Sequence, residues 1–271
     1  MKQARLAAAF ILLLAPGAGA QDVFSRHQAN SSSPAAQNDR AAREAEEMRA
    51  DIMMARKQYA EAVPVYKKLL QDEPRNAVLL NKLGIAYQQQ VMLQDAKRCY
   101  ERAVKADKTY AFALNNIGTI HYQRKNFRKA VQSYKKALLV NPASSAFYSN
   151  LGYAYFAEKH YEEAMEALHR ALEIDPGVFD ANHRAGPLLQ NRQVDDRGLF
   201  YFLLAKSFAS LGNVERCAHY LKKSWDEGYT GIASAQTDPA FARVIRDPGI
   251  QEILLPASPS ANKPPVTPPG Q

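Results

Sequence analysis

The chain has 271 residues and a formal net charge of +8, from 35 Lys and Arg against 27 Asp and Glu. Its 46% apolar and 23% charged residues are ordinary for a globular protein, and they exclude wholesale disorder, a collagen and a multi-span membrane protein. A positive charge of this size indicates a phosphate-binding surface only where the basic residues cluster.

The first 20 residues have the pattern of a secretory signal peptide. A basic start with Lys2 and Arg5 precedes an uncharged run from Leu6 to Ala15, and a small-residue cleavage site ends at Ala20. The run is too short to span a bilayer, which takes about 20 residues. We therefore predict cleavage after Ala20 and an exported protein with no transmembrane segment, periplasmic or extracellular and bacterial. The alternative is an uncleaved anchor. Residues 21–39, rich in Ser, Asn, Gln and Ala, predict a flexible lead-in.

Four residue types then recur with a period of 34 residues, which marks a repeat architecture. Within each period the apolar residues have helical spacing, so each unit is predicted to be a pair of helices. Gly and Ala let the two helices approach closely, Tyr fills the space beside them, and Pro ends the second helix. The columns are Gly84, Gly118 and Gly152; Ala62, Ala96, Ala130 and Ala164; Tyr66, Tyr100 and Tyr134; and Pro74, Pro142 and Pro176.

The pattern resembles the tetratricopeptide-repeat family. Leu83-Gly84-x-x-Tyr87, followed by Ala96-x-x-x-Tyr100-x-x-Ala103, carries the resemblance in one unit, and two later units repeat it. The resemblance implies an all-α, right-handed α-solenoid, a superhelix of stacked antiparallel helix pairs with a C-terminal helical cap. We place the array over 40–178, with repeats at about 43–76, 77–110, 111–144 and 145–178. The first repeat is degenerate because it lacks the Leu-Gly pair.

The pattern is interrupted after residue 178. Gly186 falls on the Gly column, but Pro187 would break a helix there, so residues 179–197 are predicted to be an irregular connection. Residues 198–231 predict a further helix pair. Two Asp-Pro steps, at Asp238 and Asp247, predict a cap over 232–255 in which Asp begins short helices. Residues 256–271 hold six of the 15 prolines and predict a disordered tail.

The resemblance also implies that the first helices line a concave groove, which binds a peptide segment or a partner helix. Asparagine offers a donor and an acceptor to a peptide backbone, and aromatic rings offer apolar contact. For the asparagines, the alternative is local hydrogen bonding that supports the helices. The candidate groove residues are Asn81, Lys82, Phe112, Asn115, Asn116, Tyr122, Ser149, Asn150, Tyr153 and Phe156.

The sequence offers little chemistry for catalysis. Glu166 and His169 have the spacing of di-iron ligands, but the second copy of that motif is missing and His169 is predicted to point away from the core. His121 is predicted to be a hydrogen-bonded core histidine. Cys99 and Cys217 are predicted to be free thiols too far apart to bridge. We therefore predict a scaffold without enzymatic activity, cofactor or metal, whose partner is a protein or peptide.

The net charge is uneven along the repeats. Residues 77–110 carry six basic and three acidic groups, residues 111–144 carry six basic and none acidic, and residues 145–178 carry two basic and six acidic. The alternative function is therefore binding of an anionic polymer or an envelope surface through the basic repeats 77–144. A positive band beside a negative one favours docking of another protein over nucleic acid. The sequence leaves the partner and the oligomeric state open.

Overall fold

The computed structural model describes residues 34–180 and 196–254, with side chains described from residue 37 onward. Every regular element in these two ranges is a helix, which confirms the predicted all-α class. The chain divides into two compact units, residues 1–48 and 49–271, and the boundary lies inside the first helix. Among the described helices, none combines the length and apolar character that a membrane span requires.

Eleven α-helices lie in the described ranges. Two 3-10 helices, Thr230–Gln236 and Pro239–Phe241, precede the last of them. The α-helices are α1 (Pro34–Ala55), α2 (Tyr59–Asp72), α3 (Ala77–Gln89), α4 (Leu93–Ala106), α5 (Ala111–Gln123), α6 (Phe127–Val140), α7 (Ser145–Ala157), α8 (Tyr161–Ile174), α9 (Arg197–Ser210), α10 (Val214–Asp226) and α11 (Pro248–Leu254).

The helices of the second unit stack in chain order, as in an α-solenoid. We call α1, α3, α5, α7 and α9 the first helices and α2, α4, α6, α8 and α10 the second helices. Contacts are densest within the pairs α3/α4, α5/α6, α7/α8 and α9/α10. The second helices α2, α4, α6 and α8 also pack on the first helix that follows. Each helix from α3 to α10 therefore packs on two neighbours, which a single helix pair cannot provide.

The Gly, Ala and Tyr columns lie where the two helices of a pair meet. The four column alanines and the three column tyrosines have no exposed surface. A Cβ atom at Gly118 would lie 2.6 Å from Cε1 of Tyr134, and one at Gly152 would lie 2.7 Å from Cδ2 of Leu168. In each pair, the side chain of the second helix thus packs directly against the backbone of the first helix at its glycine. The column prolines Pro74, Pro142 and Pro176 are exposed and follow the ends of second helices.

The buried tyrosine hydroxyls each donate to a polar side chain on the first helix of their own pair. The hydroxyl of Tyr66 donates to Asp51 Oδ1 at 2.6 Å, and that of Tyr100 donates to Gln88 Oε1 at 2.7 Å. The hydroxyl of Tyr134 donates to Thr119 Oγ1 at 3.3 Å. These bonds satisfy hydroxyl groups whose burial would otherwise be costly.

A residue in the left-handed region ends the first helix of every described pair. In the α3–α4 turn, the N–H of Val91 donates to the carbonyl of Gln88 at 2.9 Å and the N–H of Met92 donates to that of Tyr87 at 3.0 Å. These are the two bonds of a Schellman motif, and the same two bonds recur in the other four turns. The left-handed residues, with φ of 61°, 62°, 59°, 62° and 75°, are Lys57, Val91, Lys125, Lys159 and Gly212.

The last pair is closed by the 3-10 helices and α11. Asp238 and Asp247 cap short helices, as the Asp-Pro steps predict: Asp238 Oδ1 accepts from the N–H of Ala240 and Asp247 Oδ1 accepts from that of Gly249, both at 2.9 Å. Lys206 of α9 forms an ion pair with Asp238 at 2.6 Å. The cap buries its apolar residues, among them Ile232, Phe241, Val244, Ile250 and Leu254.

Several sequence predictions fall outside the described residues. They are the signal peptide at 1–20, most of the lead-in, the connection around Gly186 and Pro187, and the tail at 256–271. One boundary differs: α1 begins at Pro34, inside the segment 21–39 that the composition predicts to be flexible. An ion pair between Arg40 and Glu44, 2.8 Å apart and one helical turn from each other, supports this early start.

Candidate binding face

The predicted groove residues lie on the first helices α3, α5 and α7, but they differ widely in exposure. Phe112 is 55% exposed, and Lys82 and Asn116 are half-buried. The other seven are buried: Asn81, Asn115, Tyr122, Ser149, Asn150, Tyr153 and Phe156. Ile85, Gln89 and Gln123 on the same helices are exposed or half-buried. We call Lys82, Ile85, Gln89, Phe112, Asn116 and Gln123 the open face.

The asparagines form a hydrogen-bonded ladder from one first helix to the next. Asn116 Nδ2 donates to Asn81 Oδ1 at 2.9 Å, and Asn150 Nδ2 donates to Asn115 Oδ1, also at 2.9 Å. Asn115 Nδ2 donates to Asn116 Oδ1 at 3.4 Å, which joins the two bonds into one chain. The ladder therefore supports the local-bonding alternative for three of these residues. Asn116, which keeps some exposure, also lies at the surface.

An ion pair lies at the α1 end of this face. Asp51 of α1 accepts from Lys82 Nζ through Oδ2 and from the Tyr66 hydroxyl through Oδ1, both at 2.6 Å. The side chains of Lys82 and Asp51 are 27% and 44% exposed, so solvent and a ligand can reach both charges. Asp51 is not among the residues predicted from the sequence, because it lies in the degenerate first repeat. Its position nine residues into that repeat is the signal that would have found it.

Three aromatic residues predicted as groove walls are instead packed inside the array. Tyr122 and Tyr153 are 1% and 2% exposed. The ring of Tyr153 stacks on Phe200 of α9 with centroids 4.6 Å apart, and Phe156 meets the same ring edge-on at 5.2 Å. The ring faces of Tyr153 and Phe156 are therefore closed to a ligand, because α9 packs where the pattern predicted open space. The ring of Tyr122 instead meets Phe127 of α6 edge-on, with centroids 5.2 Å apart. Burial also raises the pKa of Tyr153 well above its usual range.

Phe112 is the groove aromatic that remains open. Its ring meets Phe147 edge-on, with centroids 5.7 Å apart and planes at 79°, and Tyr110 lies 5.9 Å away. Val78, one repeat earlier at the same position on α3, is 43% exposed. The face thus combines an apolar strip with the amides of Asn116, Gln89 and Gln123. Such a surface can hold an apolar side chain and hydrogen-bond an adjacent backbone.

Two buried polar atoms on the first helices α5 and α7 have no hydrogen-bond partner among the described residues. They are Ser149 Oγ, at the repeat position of Asn81 and Asn115, and Nδ1 of His121. The prediction of a hydrogen-bonded His121 is therefore wrong for this nitrogen. Burial, with help from Lys97 and Lys129, lowers the pKa of His121. A neutral ring is the form that an apolar site favours.

The remaining chemistry-bearing residues are structural or solvated. Both cysteines are free thiols and buried, as predicted. Burial raises the pKa of Cys99 to about 11 and that of Cys217 to about 12, far from the range of a reactive thiolate. His169 Nε2 lies 3.5 Å from Glu173 on the same partly exposed helix face. In the described part of the chain, no three His, Cys, Asp or Glu side chains are grouped as metal ligands.

Family models agree with the repeat geometry. Residues 81–138 and 115–178 match a tetratricopeptide-repeat model, and residues 50–91 match a second one. Residues 50–178 are tetratricopeptide repeats. The helix pairs within this range, with their Gly and Ala columns and their first-helix face, thus form a tetratricopeptide-repeat array. No curated protein matches the chain.

Solved structures share this fold at low sequence identity. PilF of Pseudomonas aeruginosa has a TM-score of 0.52 and 18% identity, covering 79% of this chain and 87% of that chain. MamA of Desulfovibrio magneticus RS-1 has a TM-score of 0.49 and 17% identity, covering 68% and 94%. YrrB, a TPR protein described as having an unusual peptide-binding site, has a TM-score of 0.45 and 18% identity, covering 70% and 89%. Of these three, only the likeness to PilF has a TM-score above 0.5, and at 18% identity it shows the fold alone.

Proposed function

We propose that this protein binds an extended peptide segment or a partner helix on its open face, without catalysis. Tetratricopeptide-repeat arrays are interaction scaffolds, and residues 50–178 form one. The observation that carries the proposal is Phe112, a large apolar side chain 55% exposed beside hydrogen-bonding amides. An aromatic ring with polar groups next to it is typical of surfaces that recognise peptides.

The arrangement of the open face suggests how a ligand lies on it. Phe112 takes an apolar side chain of the ligand, and Asn116 and Gln123 on the same helix bond its backbone. The Lys82–Asp51 pair offers one charge of each sign at the α1 end of the face. A peptide or helix that carries an apolar anchor residue and, a few residues away, a charged residue therefore fits best.

Selection from a displayed library of random peptides tests this proposal. Selected peptides should bind Phe112→Ala at least about tenfold more weakly than the wild type, because the anchor ring is lost. Leu139→Ala is the matched control, since Leu139 is an apolar residue of α6 that is 85% exposed on a second helix. Neither change should alter the melting temperature much. Peptides that bind both variants equally well would contradict the proposed site.

A basic cleft favours the alternative, an anionic polymer or envelope surface as the ligand of the repeats 77–144. The cleft has a volume of about 460 Å³ and is lined by Arg75, Arg102 and Lys105 together with Pro74 and Ala106. Polyphosphate is a suitable probe, because binding that releases counterions weakens steeply between about 50 and 200 mM salt. Loss of such binding in the double variant Arg102→Glu, Lys105→Glu would support this alternative. Absence of polyphosphate binding, together with peptide binding that survives high salt, would support the peptide site.

We further propose that the protein is exported, on the strength of the signal-peptide pattern in residues 1–20. The mass of the protein isolated from its native cells tests this proposal. A chain that starts at Gln21 and is released with periplasmic contents is expected. A chain that keeps Met1 and stays with the membrane would support the uncleaved anchor, and one found in the cytoplasm would contradict export.

A further inference from the structure

One side of α1 carries an apolar stripe with heptad spacing. Five residues, 41, 45, 48, 52 and 55, form this stripe, and the steps between them alternate between four and three residues. This is the spacing of the a and d positions of a coiled coil. All five side chains are exposed, Met48 at 65% and Ile52 at 47%. Ala50, at the opposite f position of the heptad, has no exposed surface and belongs to the core of the array. The stripe consists of Ala41, Ala45, Met48, Ile52 and Ala55.

The helix that carries this stripe is longer than a repeat needs. It has 22 residues, whereas α3, α5 and α7 have 13 each. A free helix of this length is marginally stable in water. The C-terminal part of α1 is instead held by Asp51, which accepts hydrogen bonds from Tyr66 and Lys82. The end of the stripe at Ile52 and Ala55 is therefore presented on a helical segment that is already held in place, which lowers the entropic cost of pairing.

The charges beside the stripe select an orientation. With Ala45 and Ile52 at position a, the g positions are Glu44 and Asp51 and the e positions are Arg49 and Arg56. In a parallel, in-register pair, each g residue faces the e residue five positions later on the other helix. Glu44 then meets Arg49 of the second copy, and Asp51 meets Arg56. An antiparallel pair would set acid against acid and Arg against Arg.

We propose that α1 pairs with α1 of a second copy of this chain as a parallel, in-register two-stranded coiled coil. Alanine at three of the five stripe positions lets the two helices approach closely. The contact spans only about two heptads, so it is smaller than a standard interface and the dimer is weak. The seam shares Asp51 with the α1 end of the open face, because Asp51 also accepts a hydrogen bond from Lys82.

Sedimentation velocity of the purified protein over a wide range of concentrations, from the low micromolar upward, tests the proposal, since a weak dimer forms only as the concentration rises. The wild type should pass from monomer to dimer, and Ile52→Lys should raise the dimer Kd at least about tenfold because it places like charges in the seam. Val91→Lys is the matched control: Val91 is 77% exposed and lies where other repeats have Lys. A wild type that stays monomeric, or an Ile52→Lys variant that dimerises like the wild type, would overturn the proposal.

Two further measurements test the orientation. Glu44→Lys should weaken the dimer, and adding Arg49→Glu should restore it. Ala41→Cys should form a disulfide with its own second copy, because only a parallel pair brings the two Ala41 positions together. The native thiols are buried and do not interfere. No rescue, or cross-linking only in a mixture of Ala41→Cys and Ala55→Cys, would refute the parallel arrangement.

Discussion

Replacing Val91 by glycine should stabilise the protein, although it removes a side chain. Val91 ends α3 with a φ of 62°, a conformation that costs an L-residue about 1–2 kcal/mol. Its side chain is 77% exposed, so little buried surface is lost. Glycine also lowers the unfolding free energy by about 0.5–1 kcal/mol, because it gives the unfolded chain more conformational freedom. The net gain is about 0.5–1 kcal/mol of unfolding free energy.

Urea unfolding followed by circular dichroism measures this gain as a higher midpoint at unchanged slope. The mirror variant is Gly212→Ala, which places a side chain at φ 75° in the equivalent turn of the α9–α10 pair. The nearest atom to the new Cβ is Arg243 Cδ at 3.9 Å, so there is room and only backbone strain acts. We expect a loss of about 1 kcal/mol. A Val91→Gly variant that is neutral or destabilised would show that the left-handed residue at this turn is not strained.

Three other changes test the packing and the buried groups. Gly118→Ala should lower the melting temperature, because the new Cβ would lie 2.6 Å from Tyr134 Cε1; overpacking costs about 1–3 kcal/mol against about 1 kcal/mol of helix propensity gained. Cys99 and Cys217 should resist alkylation at pH 8 in the folded protein and react once it is unfolded in urea, because burial raises both pKa values. Burial lowers the pKa of His121 in the folded state, so the unfolded chain binds the proton first and stability falls as the pH drops below about 6.5. Thermal melts at pH 7.5 and pH 5 should show a smaller loss for His121→Tyr, and an equal loss would contradict this assignment.

The repeat architecture could be predicted from sequence because each column of recurring residues has the same packing or helix-ending role in every repeat. Gly118 leaves room for Tyr134, and Gly152 leaves room for Leu168 at the same place in the next repeat. Because the same contact recurs every 34 residues, the period in the sequence predicts which residues pack together. The left-handed turns could not be predicted, because Val91 has no local signal for positive φ and adopts it to form the Schellman bonds.

The candidate site was predicted less completely because its geometry depends on neighbours that the period does not show. The ladder bond from Asn116 to Asn81 joins residues 35 apart, one step off the 34-residue columns. Tyr153 and Phe156 are buried by Phe200, which lies beyond the interruption in the pattern. The packing of α9 on Tyr153 and Phe156 therefore does not follow from the position of either residue within its repeat.

The measurement that tests the central claim most directly is photo-cross-linking in the native cell. A photoreactive amino acid at position 112 should cross-link to a partner protein through one defined peptide segment, found by mass spectrometry, whereas the same group at position 139 should not. A partner cross-linked from position 139 but not from position 112 would show that the second helices carry the interaction, and would contradict binding on the open face.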